Sequence, residues 1–68
     1  MENLFAENLK TLRAEKGVGQ VEFAKAIGVS NGIISLWENG KREPTLSSLI
    51  AIAKYFETSI DSLVGFYN

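Results

Sequence analysis

Residues 20–37 hold two short amphipathic runs separated by only Gly28-Val29-Ser30, and no other stretch limits the fold as tightly. Phe23, Ala24 and Ile27 recur at helical spacing in the first run, and Ile34 and Trp37 in the second. A connection this short makes the two helices cross steeply and touch. Close crossing needs a small residue on the first helix, which Ala24 supplies. The turn needs a residue that reaches positive φ without a Cβ penalty, which Gly28 supplies. Phe23, Ile27, Val29, Ile34 and Trp37 stand where they can pin both helices to the rest of the chain.

That remainder also reads as helix. A first helix is expected from Leu4 to Lys16, with Phe5, Leu9 and Leu12 as its apolar stripe, Asn3 at its start and Gly17 at its stop. The second runs from Gln20 to Ile27 behind Gly19, with Glu22 in its first turn, and ends at Gly28. The third opens at Ser30 and runs to Glu38. Asn39-Gly40 is a turn signal, and the loop from Asn39 to Pro44 carries Lys41 and Arg42. Thr45 caps a fourth helix, with Leu46, Leu49, Ile50, Ala53 and Phe56 facing inward and Ile52 and Tyr55 outward. Ser59 caps a short fifth, with Ile60, Leu63 and Val64 as its apolar face. The alternation that strands need is absent. The expected fold is all-α, a compact five-helix bundle in one domain spanning residues 1–68.

Composition excludes several chemistries. The 68 residues contain no cysteine and no histidine, so disulfides, thiolate zinc sites and imidazole bases are all ruled out. No nucleophile–base pair or phosphate loop is present, and glycines such as Gly17 and Gly19 follow no strand. The expectation is a non-enzyme without metal, cofactor or small-molecule ligand. No apolar run approaches the ~20 residues that span a bilayer, and Met1-Glu2-Asn3 lacks a basic start, so a cytoplasmic protein is expected. Net charge is −1, which argues against a general polyanion binder but not against a local basic patch.

Taken in order, the segments Leu9-Lys-Thr-Leu-Arg13, Gln20-Val-Glu-Phe-Ala24-Lys-Ala-Ile-Gly28-Val-Ser30, Ile34-Ser-Leu-Trp37-Glu38-Asn39-Gly40-Lys-Arg-Glu-Pro44 and Ser59-Ile-Asp-Ser-Leu63 resemble the lambda-repressor/Cro-like helix-turn-helix family of small bacterial and phage transcriptional regulators. The resemblance covers nearly the whole chain. It implies a helix-turn-helix formed by the second and third helices, double-stranded DNA as partner and a homodimer on a pseudo-palindromic site. It casts the helix opening at Ser30 as the recognition helix, with Ser30, Asn31, Gly32 and Ile33 entering the major groove and Ser35 and Leu36 following. Asn31 is the candidate for pairing with adenine, and Ile33 or Leu36 for packing on a thymine methyl. Gln20 matches a phosphate-contacting glutamine, and Asn39, Lys41 and Arg42 look like a second phosphate contact. Arg13 and Glu38 match a pair that joins the first and third helices as a structural salt bridge.

The chain departs from the family pattern at three positions. Gly19 replaces the usual Ser or Thr, Gly32 lies inside the recognition helix, and Leu36 replaces a common Arg, Lys or Gln. The reading face is therefore poor in hydrogen-bonding groups, and specificity leans on apolar contacts, shape and water. Two functions follow. One is a sequence-specific DNA-binding regulator, most simply a repressor. The other is a protein-interaction module such as an antitoxin or adaptor. A dimer surface is expected at Leu63, Phe66 and Tyr67, because little chain remains to cover them.

Overall fold

Hydroxyl caps and left-handed stops divide the chain much as the sequence anticipates. The computed structural model describes residues 3–66 and contains among them five α-helices and no strand. They are α1 (Phe5–Lys16), α2 (Gln20–Ile27), α3 (Asn31–Glu38), α4 (Leu46–Phe56) and α5 (Ile60–Val64). The side chains of Ser30, Thr45 and Ser59 each accept a hydrogen bond from a backbone N–H three residues on, at Ile33, Ser48 and Ser62. Asn3 works slightly differently: its Oδ1 accepts the N–H of Phe5 at 3.0 Å, and the helix starts at Phe5 rather than Leu4. α2 opens behind Gly19 with no side-chain cap bond.

The core gathers Phe5 and Leu9 of α1, Phe23 and Ala24 of α2, Ile34 and Trp37 of α3, Ile52 and Ala53 of α4, and Leu63 of α5. Trp37 meets Phe5 edge-on at 6.1 Å, and Phe23 lies 5.3 Å and 5.2 Å from the rings of Tyr55 and Phe56. α1 packs on α3 and α5, while α4 packs on α2 and α5. The helix-turn-helix is thus held from behind and leaves one side of α3 uncovered.

Two inward-facing assignments change. Ile52 is fully buried, whereas Ile50 is 41% exposed and Leu46 68% exposed. The packed stripe of α4 is Leu49, Ile52, Ala53 and Phe56, rotated from the expected one as the helix packs on both α2 and α5. Tyr55 is half-buried beside Phe23 and Phe56, with the Lys16 ammonium 4.9 Å from its ring centre. Leu63 is 1% exposed, so the core already uses it and it cannot form a dimer surface. Phe66 is exposed, and Tyr67 lies outside the described residues.

α5 has only five residues and is held by α1. The N–H of Leu4 donates to the Val64 carbonyl at 3.0 Å, and Asn8 Nδ2 donates to the carbonyls of Ser62 and Leu63 at 3.1 and 3.0 Å. These bonds satisfy carbonyls that a short helix leaves open at its end. Gly65 follows at φ +76, and a Cβ there would lie 2.9 Å from Leu4 Cδ1, so the position needs glycine on both counts.

Candidate nucleic-acid interface

The turn between α2 and α3 fixes how α3 is presented. Gly28 stops α2 at φ +75, and the N–H of Val29 returns to the Ala24 carbonyl at 3.0 Å. Ser30 then starts α3, its Oγ accepting the Ile33 N–H at 3.3 Å. Ala24 is 2% exposed, which fits the small residue required at the crossing. Helical periodicity does the rest. Ile34, Trp37 and Glu38 turn inward, Ile33 and Ser35 are half-buried, and Asn31, Gly32, Leu36 and Asn39 face outward beside exposed Ser30. The outward stripe holds no charged side chain. Asn39 Nδ2 donates to Ser35 Oγ at a long 3.4 Å, a weak contact that leaves both groups accessible.

The loop after α3 folds back on the helix. Gly40 N–H bonds the Trp37 carbonyl at 3.1 Å, and Lys41 N–H bonds the Leu36 carbonyl at 2.9 Å. Lys41 and Arg42 are exposed, and neither forms an ion pair among the described residues. Among the described residues the two cations thus stand unpaired next to α3. Gly32 has helical backbone, and the nearest atom to a Cβ built there is Ser30 Oγ at 3.9 Å. Among the described residues nothing requires glycine at that position.

At the other end of α2, Gln20 is half-buried and takes part in a polar network. Arg13 donates to Glu38 twice, from Nε to Oε2 at 2.7 Å and from Nη2 to Oε1 at 2.9 Å. Its Nη1 also donates to the Val18 carbonyl at 2.9 Å. Gln20 Nε2 donates to Glu38 Oε1 at 3.1 Å. Burial alone would push the Glu38 carboxyl up. The hydrogen bonds from Arg13 and Gln20, with the charges of Arg13 and Lys10, outweigh it and hold the carboxyl below its ordinary value. The hydrogen bond to Glu38 likewise raises Arg13. The expected salt bridge is therefore present, between side chains 19% and 4% exposed. Sequence reading missed its extension to Gln20, because residues 18 apart with no local motif give no signal of contact.

Among the described residues no helix is long and apolar enough to cross a membrane. The helix-turn-helix family profile matches residues 9–63. The HTH-type transcriptional activator BcrR of Enterococcus faecalis is 42% identical over 61 residues, which is 90% of this chain and 30% of BcrR. A transcriptional regulator from Listeria innocua superposes with a TM-score of 0.92 at 34% identity, over 100% of this chain and 64% of that one. The c2 repressor of Salmonella phage P22, solved with a synthetic operator, superposes with a TM-score of 0.87 at 32% identity, over 93% of this chain and 96% of that one. The chain spans less than a third of BcrR's length, so BcrR's whole activity does not transfer with the match. All three are transcriptional regulators or repressors by name. With its glycine-stopped turn, its α3 exposed along one side and this breadth of similarity, the chain belongs to the lambda-repressor-like helix-turn-helix family of transcriptional regulators.

Proposed function

We propose that the chain binds double-stranded DNA sequence-specifically and acts in transcriptional regulation, as a repressor in dimeric form. The observation that carries this reading is the likeness to the P22 c2 repressor in its operator complex, which extends over 93% of the chain. In this reading α3 enters the major groove. Asn31 pairs with a base edge, Ser30 and Ser35 offer hydroxyls, and Ile33 and Leu36 offer apolar contact. Gln20, Asn39, Lys41 and Arg42 meet phosphates on either side. Few cations face the duplex, so the affinity falls shallowly with salt, far less than for a protein making ~8 phosphate contacts.

Selection of sites from random duplex DNA tests the reading. A symmetric motif whose enrichment is lost on Asn31→Ala is the expected result. No enrichment at any salt concentration would remove it. A protein-interaction module is the second reading, favoured by the uncharged outward stripe of α3 and the net charge of −1. For the dimer, exposed Leu4 and Phe66 are the apolar groups at the α1–α5 end. Sedimentation of Phe66→Ala is expected to show a weaker dimer, and unchanged association would exclude that surface.

A further inference from the structure

Glu38 touches more than its salt-bridge partner, and the geometry gives that second contact a purpose. Its Oε1 takes hydrogen bonds from both Arg13 Nη2, at 2.9 Å, and Gln20 Nε2, at 3.1 Å. Arg13 is itself fixed by the Val18 carbonyl in the α1–α2 turn. The carboxylate thus cannot swing away, and Gln20 meets a fixed acceptor.

A glutamine amide has one edge that donates and one that accepts, and the two are nearly the same shape. An exposed glutamine presents either edge. An ionised carboxylate only accepts, so it binds the NH2 edge alone and thereby sets the amide's orientation. With one N–H on Glu38, the second N–H remains available at the start of α2. A phosphate oxygen needs a donor there, and a flipped amide would offer it a carbonyl. We infer that Glu38 is a positioning residue for DNA binding, which orients the Gln20 amide so that its free N–H meets a backbone phosphate. This rests on the DNA-binding reading and extends it to a residue that does not reach DNA itself.

Arg13 keeps Glu38 ionised, since its hydrogen bonds and charge help hold the carboxyl low despite burial. The sign of one substitution then separates positioning from simple electrostatics. Glu38→Gln removes a negative charge from a DNA-binding domain, which on charge alone tightens binding. It also substitutes an amide that pairs with either edge of Gln20, which weakens binding through lost orientation.

Duplex affinity is measured at one salt concentration for the wild-type chain, Gln20→Ala, Glu38→Gln and the double variant. Gln20→Ala is expected to lose about tenfold, the worth of a hydrogen bond to a charged group. Glu38→Gln is expected to lose several-fold, and the double variant no more than Gln20→Ala alone. Losses that multiply, or tighter binding by Glu38→Gln, would overturn the inference. A second measurement uses the unmodified free protein and does not depend on any variant folding. The 15N order parameter of the Gln20 side-chain amide is expected near the rigid range of about 0.85, not below the ~0.6 of a flexible group. A mobile amide would overturn the positioning role and leave the DNA reading standing. An ordered amide with unchanged affinity for Gln20→Ala would overturn the phosphate contact and the positioning role together.

Discussion

Arg13 and Glu38 join the end of α1 to the end of α3 through two parallel N–H···O bonds of 2.7 and 2.9 Å. A fork-on-fork pair of this kind fixes direction as well as distance. Removing the cation strands a carboxylate whose side chain is 4% exposed. Arg13→Met is therefore expected to cost about 2–3 kcal/mol at neutral pH, read by urea unfolding. The folded-state pKa of Glu38 lies below its unfolded value, so its contribution to stability is complete above the unfolded pKa. That contribution is lost as pH falls through the folded pKa. In Arg13→Met the carboxyl can protonate instead, so the gap between variant and wild type narrows on acidification below about pH 4. A gap that widens there would contradict the assignment.

Gly17 and Gly65 share the same left-handed backbone, at φ +75 and +76, but differ in their surroundings. A Cβ at Gly17 meets nothing within 4 Å, whereas one at Gly65 runs into Leu4 Cβ, Cγ and Cδ1 at 2.9–3.0 Å. Gly17→Ala should cost about 1–2 kcal/mol from backbone strain alone. Gly65→Ala should cost roughly 1 kcal/mol more than that, and Leu4→Ala in the same chain should recover part of it. Thermal melts of the single and double variants compare the two sites. Equal costs would show that Leu4 moves aside freely.

The phase of α4 makes a contrast between near neighbours of the same type. Ile52→Ala empties a fully buried site and is expected to cost about 2–4 kcal/mol. Ile50→Ala acts on a side chain 41% exposed and is expected to change stability by no more than about 0.5 kcal/mol. Chemical denaturation of the two variants checks the orientation directly, and the reverse ranking would rotate the helix back.

Gly32 offers a test in which stability and binding move in opposite directions. Its backbone is helical and a Cβ there is unobstructed, so Gly32→Ala is expected to stabilise the fold by about 0.5–1 kcal/mol. The added methyl would stand on the stripe proposed to face the duplex. Lower affinity in a more stable protein is the expected outcome. Unchanged affinity would mean that this turn of α3 does not approach DNA closely.

The parts of the fold legible in the sequence are those with local chemistry. Ser30, Thr45 and Ser59 announce helix starts because a hydroxyl cap acts within three residues. Gly17 and Gly28 announce stops because each can turn left-handed. The end of α4 gives no such sign, since Glu57 takes the left-handed position at φ 54. The face of α4 was hidden for another reason. Leu46, Leu49, Ile50, Ile52, Ala53, Tyr55 and Phe56 put apolar groups on most of its sides, so more than one helical stripe fits. The packing of α4 against both α2 and α5 selects among them. Leu63 reads as available for a partner because part of its cover, α1, comes from the opposite end of the sequence. On the candidate site, periodicity gave the inward pair Ile34 and Trp37, and the family resemblance singled out the residues of the outward stripe. The tie from Glu38 to Gln20 is a tertiary contact that no spacing encodes.

The bonds between Leu4 and Val64, and between Asn8 and the carbonyls of Ser62 and Leu63, also bear on synthesis. A chain is made from its N-terminus, so α1 leaves the ribosome while its partner in α5 is still untranslated. Until residues 62–64 emerge, the α1 groups that hold α5 have no partner, and the site that Leu63 fills in the core stays open. The body that holds the helix-turn-helix closes only when α5 brings Leu63 into the core. Translation therefore delays the seal of this core until its final turn has been made.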